Sequence, residues 1–322
     1  MEKKRIGSRV GTLINHYGIY LMFVVLIAAS TIISPRFMTY KNLISVSKQI
    51  SVTAVMSFGM TLLIISGQID LSMGSTIALS GMVSINAFLA TGSYFVAFLV
   101  ACAVAVLVGY INGHLITTLR LPGFIATMSM DTIARGAVYL YTKGSPIYQI
   151  GDYGQVSTTY VGIFPLPVII MVVVGIICHI ILRYTRFGRS LYACGGNIDA
   201  AEASGINVGR TKRMAFVVSG LFVGIAAVLQ MARLNSGLPD TAEGYHADAI
   251  AAAVIGGTSF TGGTGTAIGT IVGAFIIGII SNILNLCGVQ SYVQQIVKGT
   301  IIVVAVSFDL LGKARKIRKI QK

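Results

Sequence analysis

Apolar runs long enough to cross a bilayer succeed one another along nearly the whole chain, and residues 183–213 form the one long polar interruption among them. About 30 Å of hydrocarbon takes roughly 20 apolar residues of α-helix. With no water at that depth, each run must close its backbone hydrogen bonds within itself. Composition agrees: 55% of the 322 residues are hydrophobic and 11% are charged, against about a quarter charged in an ordinary soluble domain. The chain reads as an all-α integral membrane protein, a single transmembrane domain over residues 1–322.

Taken in order, residues 17–33 form a first span, with Lys3, Lys4, Arg5 and Arg9 before it and Pro35 after it. No small-residue cleavage site follows, so this is an uncleaved helix rather than a signal peptide. Residues 43–65 return, 75–91 lead out, and a fourth span reaches 117 beside Arg120. Pro122 then opens a fifth span, at a position where helices tolerate proline. A polar outer segment at 143–164 precedes spans at 165–182 and 214–231, which flank the loop. Residues 249–286 would overrun a bilayer as one helix and are cut by Gly256, Gly257, Gly262, Gly263 and Gly265, so a short segment, a glycine-rich break and a span from 267 are expected. A tenth span, 293–311, ends in Lys313, Arg315, Lys316, Arg318 and Lys319. About ten transmembrane helices bring both termini to the cytoplasmic side, and two sets of five would be inverted halves. The interruptions at 67–75 and 256–265 fall at comparable places in those halves, which is the sequence pointer to a transport pathway.

A net charge of +14 could suggest nucleic acid, but the basic residues collect on one predicted face. That distribution records orientation in the membrane and contact with anionic lipid headgroups, so no nucleic-acid partner is implied. Cys102, Cys178 and Cys287 lie in or at the ends of apolar runs and Cys194 in the loop, with neither metal spacing nor a disulfide framework.

The loop carries Arg183, Arg186, Arg189, Arg210, Lys212 and Arg213, which puts it in the cytoplasm. Its centre predicts one short helix over 198–204. Asn197 can cap it, Asp199 suits the positive end of the dipole, Ala200, Ala201 and Ala203 fill the body, and Gly205 suits a left-handed terminus. Two turns of helix are marginal alone, so the segment is either held against something or an ordinary solvated loop.

The loop sequence TRFGRSLYACGGNIDAAEASGI at 185–206 resembles the cytoplasmic loop of bacterial sugar ABC importer permeases of the ribose, xylose, arabinose and galactoside type. GQIDLSMGS at 67–75, FIAT at 124–127 with Arg135, Gly136 and GSPI at 144–147, and GGTSFTGGTG at 256–265 resemble further motifs of that family in the expected order. The resemblance implies a cobalamin-importer-like permease fold. It also implies a coupling helix that seats in an ATP-binding subunit, carried by Arg186, Gly188, Arg189, Gly195, Gly196, Asn197, Ala200, Ala201, Glu202 and Gly205. The implied partners are that ATPase, an extracytoplasmic sugar-binding protein, a second permease subunit and membrane lipid, in a bacterial inner membrane. No G-x-x-x-x-G-K-[ST] run occurs, so ATP would be bound by the partner and this chain would need no cofactor.

Candidate pathway residues are Asp70, Ser72, Asp131, Arg135, Thr258 and Ser259. Asp70 or Ser72 either caps the third helix or lines a path. Asp131 and Arg135, four apart, share a helix face and are expected to pair, either as an ion pair that eases insertion or as a polar rung for sugar hydroxyls. Thr258 and Ser259 lie in the break, where main chain at membrane depth needs protein or a watery cavity around it; tight small-residue packing would serve equally. An ion-coupled carrier titrating Asp70 or Asp131 and an intramembrane enzyme are the rival classes. Neither accounts for the loop, and the spans hold no paired Ser/Lys or H-E-x-x-H. A monosaccharide suits a path with hydroxyls and few charges, as would a nucleoside or a sugar-derived signal.

Overall fold

A computed structural model describes the backbone of residues 2–320 and the side chains of 18–307, 309 and 310. The basic residues expected to fix the two ends, Lys3, Lys4, Arg5, Arg9, Lys313, Arg315, Lys316, Arg318 and Lys319, lie outside the described side chains. Helices α1 (Glu2–Ile33), α2 (Tyr40–Ile65), α3 (Met73–Thr91), α4 (Tyr94–Thr117) and α5 (Gly123–Thr142) come first. A 3-10 turn (Gly151–Gly154), α6 (Gln155–Thr158) and a hairpin of β1 (Tyr160–Val161) and β2 (Phe164–Pro165) follow. Then come α7 (Leu166–Tyr184), α8 (Arg186–Gly196), α9 (Ile198–Ala203), α10 (Val208–Leu234), α11 (Tyr245–Ile255), α12 (Ala267–Leu286) and α13 (Ser291–Ile320). Among the described residues α2, α3, α4, α7, α10 and α12 are long and apolar enough to cross a bilayer, and α1, α11 and α13 carry shorter apolar stretches.

The all-α expectation holds except for the four hairpin residues, where Tyr160 faces Pro165 and Val161 faces Phe164. Two-residue strands are too short to leave a periodic signature.

Helix α2 is the centre of the molecule. Every residue from Ile50 to Ile65 is buried, as befits a helix apolar on all sides, and α7, α10, α11 and α12 pack around it. Its hydroxyls need no water: Ser51, Ser57 and Thr61 each donate to the carbonyl four residues back, at 2.7, 2.6 and 2.8 Å. The most extensive helix pair is α4 with α10. There Gly109 lies on the Phe216 carbonyl and Gly220 on the Ala105 carbonyl, closer than any side chain would permit. Small residues at such crossings are how helices associate in lipid, where burial of apolar surface supplies no drive.

Residues 249–286 divide as expected. Eleven-residue α11 extends about 16 Å, too short to cross, and a glycine-rich turn separates it from α12. Helix α8 packs against α2, α7 and α10, meeting the last turns of α2 and α7, and α9 packs against α8 and α10. Arg213 at the start of α10 donates to the hydroxyls of Thr117 and Thr118 at the end of α4. At the opposite end, Asn42 and Asn282 exchange amide hydrogen bonds of 3.0 and 2.9 Å between α2 and α12.

Candidate functional site

The polar loop contains two helices where one was expected. Thr185 caps α8 by accepting from the Gly188 amide at 3.0 Å, Leu191 and Cys194 turn inward, and Arg186 and Arg189 turn outward. Gly195 and Gly196 form the last turn of α8. Asn197 is extended and separates the two helices. Its Oδ1 accepts from the Ala200 amide at 2.9 Å, and Gly205 is left-handed at φ 79°, so cap and terminus are as expected. Ala201 is the buried face of α9, against Cys194 and Val208, and Ile198, Asp199, Ala200, Glu202 and Ala203 are exposed. The segment is held, not merely solvated. Burial also pushes the Cys194 thiol above its ordinary range.

The end of α8 meets the glycine-rich break through main chain. Gly195 lies on the carbonyl of Ile65, the last residue of α2, and on the amide of Gly263. Gly263 donates to that same carbonyl at 2.9 Å, and Gly262 and Gly263 lie against Gly195 and Gly196. The Tyr192 hydroxyl donates to the Gly265 carbonyl at 2.7 Å. From α13, Asp309 Oδ2 accepts from Ser259 Oγ at 2.9 Å and from the Phe260 amide at 3.1 Å. Thr258 is buried, and its hydroxyl has no hydrogen-bond partner among the described residues. Protein groups thus satisfy irregular backbone that lipid could not.

Asp70 and Ser72 sit in a second buried cluster. Asp70 Oδ1 accepts from the Ser72 amide at 2.8 Å and from Ser72 Oγ at 2.6 Å, and Asn112 on α4 donates to Ser72 Oγ at 2.9 Å. Ser72 occupies the cap position of α3 without making a side-chain cap, so the simple capping alternative is replaced by a loop closed on itself. Asp70→Ala removes the acceptor for a buried amide and should cost about 2 kcal/mol, read as a lower Tm in detergent; an unchanged Tm would show that the cluster does not hold the loop.

Asp131 and Arg135 do not pair. Ser75 Oγ donates to Asp131 at 2.5 Å, while Arg135 Nη1 donates to the carbonyls of Pro239 and Thr241 at 2.6 and 3.1 Å. The physical reason is that the segment leading into α11 has carbonyls unpaired by helix, and a guanidinium at their level satisfies two of them. Both side chains line a cavity of about 650 Å³ between α5, the first turn of α11 and α13, together with Glu243, His246, Gln294 and Lys298. Lys298, whose partner is not evident from its own helix, pairs with Asp248 of α11 at 2.8 Å. Sequence reasoning did not find Asn112, Tyr192 or Asp309, since each acts on a residue distant in the chain. An Asn or Asp inside an apolar run was the available signal.

The six candidate pathway residues therefore fall into three places: Asp131 and Arg135 at the cavity, Asp70 and Ser72 in the cluster with Asn112, and Thr258 and Ser259 in the break beside α8.

The family described as branched-chain amino acid transport system / permease component matches residues 42–306. The chain belongs to that permease family. The ribose import permease protein of Escherichia coli (strain K12) is 40% identical over 294 residues, 90% of this chain and 92% of the relative. The corresponding protein of Bacillus subtilis (strain 168) is 38% identical over 311 residues, 96% of each chain. The L-arabinose transport system permease protein of Escherichia coli (strain K12) is 35% identical over 301 residues, 93% of this chain and 92% of the relative. No solved structure matches the permease. It is a multi-pass inner-membrane transport subunit rather than an enzyme.

Proposed function

We propose that the permease is the membrane subunit of an ATP-driven importer that moves a ribose-like monosaccharide delivered by an extracytoplasmic binding protein. The family description alone would allow an amino acid, but the relatives that share nearly the full length are named for sugars. A second permease subunit, identical or related, closes the pathway, and a separate ATPase binds the nucleotide. The observation that carries this reading is the arrangement of α9: a short helix exposed on one face, fixed on the other, and joined through α8 to the end of α2 and to the glycine break. Such an element can pass a push from a partner into the membrane domain.

On this reading α1, α5, the half-length α11 and α13 join the six long apolar helices to give ten segments in two inverted halves of a cobalamin-importer-like fold, with both termini and α8–α9 cytoplasmic. The cavity between α5, α11 and α13 lies on the face that meets the second subunit. Its amides, hydroxyl and charged groups suit a neutral polyol, the half-helix α11 directing its N-terminal amides into it.

Uptake into proteoliposomes tests the function. Transport should require ATP, the partner ATPase and the binding protein, should stop with vanadate, and should ignore ionophores; the reverse pattern would make the chain an ion-coupled carrier. Arg135→Ala, which frees the Pro239 and Thr241 carbonyls, should lower uptake about tenfold, as expected for loss of one charge-assisted bond worth about 1.5–3 kcal/mol. Unchanged uptake would remove Arg135 from the pathway.

A further inference from the structure

Three cations gather where the charge distribution of the rest of the chain does not put them. Lys41 and Lys48 on α2 and Arg233 in the last turn of α10 line one cavity of about 620 Å³ at the end of the molecule opposite α8–α9. Its remaining polar lining is neutral, with the side chains of Gln155, Ser157 and Thr158 among it and no carboxylate. Among the described residues none of the three cations has an acid within 4 Å. Arg233 donates only to the Gln230 amide oxygen, at 3.3 and 3.2 Å, and Lys48 Nζ stands 5.4 Å from the centre of the Tyr160 ring.

Two features make this arrangement costly unless an anion is present. Three like charges share a single concavity, and Lys41 lies in the first turn of α2, where the positive end of the helix dipole disfavours a cation. The dipole accounts for Arg233, at a helix C-terminus, but not for Lys41. The rim indicates where the anion comes from. Tyr40 is 71% exposed, and the hairpin beside Lys48 presents Tyr160, Val161, Ile163 and Phe164 outward, Ile163 at 74%. Exposed aromatic and aliphatic side chains around a cationic hollow are what a protein offers at the headgroup level of a bilayer, where rings sit at the interface and basic groups reach phosphate.

We propose that this cavity binds the phosphate of an anionic phospholipid, with the headgroup among Lys41, Lys48 and Arg233 and an acyl chain along the hairpin and Tyr40. Native mass spectrometry of the full-length permease in mild detergent tests it, with phosphatidylglycerol and phosphatidylcholine of matched chains as probes. Phosphatidylglycerol should be retained preferentially. Lys41→Gln, an exposed position that leaves the core untouched, should weaken its retention about fivefold, and the triple variant with Lys48→Gln and Arg233→Gln about a hundredfold. Equal retention of the two lipids, or unchanged retention by Lys41→Gln, would overturn the proposal. Displacement of the lipid by inorganic phosphate at about 10 mM would assign the site to soluble phosphate instead. If lipid retention were unchanged while Lys41→Gln weakened capture of the extracytoplasmic binding protein, the cations would be a protein contact and the lipid assignment would fail.

Discussion

Gly195→Val should reduce ATP-driven uptake at least about tenfold. Even the β-carbon of a residue at 195 would collide with the Ile65 carbonyl and the Gly263 amide. These are main-chain atoms of a helix end and of a hydrogen-bonded turn, so neither can rotate aside as a side chain would. Relief requires α8 to move off α2, which forfeits the contact between the loop and the break. Overpacking of this kind costs about 1–3 kcal/mol where side chains can adjust, and backbone neighbours put this site at the upper end. Gly196 supplies the control, because nothing lies within 4 Å of a β-carbon built there. Gly196→Ala should transport within about twofold of the parent, helped by the better helix propensity of alanine. Reconstituted uptake alongside ATP hydrolysis measures both variants. Equal activity of the Gly195 and Gly196 variants would show that the close approach carries no motion.

Glu202→Pro should abolish coupling while leaving membrane insertion intact. Proline in a helix interior removes an amide donor and collides with the carbonyl four residues back, at about 3 kcal/mol. In a helix of six residues, Ile198–Ala203, that carbonyl belongs to the first residue, so no intact turn survives. Glu202 is exposed and Ala201 is the buried contact, so the damage stays in α9. Co-purification of the ATPase and uptake should both fall at least about tenfold, with Glu202→Ala within about twofold as the control for the carboxylate. Normal uptake by the proline variant would remove α9 from the docking role.

The parts of the fold legible from sequence are those written in local chemistry. The Asn197 cap, the left-handed Gly205 and the cut between α11 and α12 depend on residues a few positions apart, and the composition and apolar runs gave the membrane class. The parts that were not legible depend on distant partners. Asp131 and Arg135 share a helix face, and spacing alone favours pairing, but Ser75 and the carbonyls of Pro239 and Thr241 lie closer in space. The second helix of the loop, α8, was not expected, and Gly195 lies in it because a distant backbone needs the room. Likewise the tie between Asp309 and the break could not be read from a carboxylate near the end of an apolar run.

Helix α13 is held twice, by Lys298 on Asp248 of α11 and by Asp309 on Ser259 and Phe260 of the glycine-rich turn beside α8. Eleven residues separate Lys298 from Asp309, about 16 Å of helix, which is nearly the full length of α11. Two fastenings at that separation prevent pivoting as well as sliding. The final helix and the half-helix it flanks therefore form one wall of the cavity fastened at two levels, facing α5 across it.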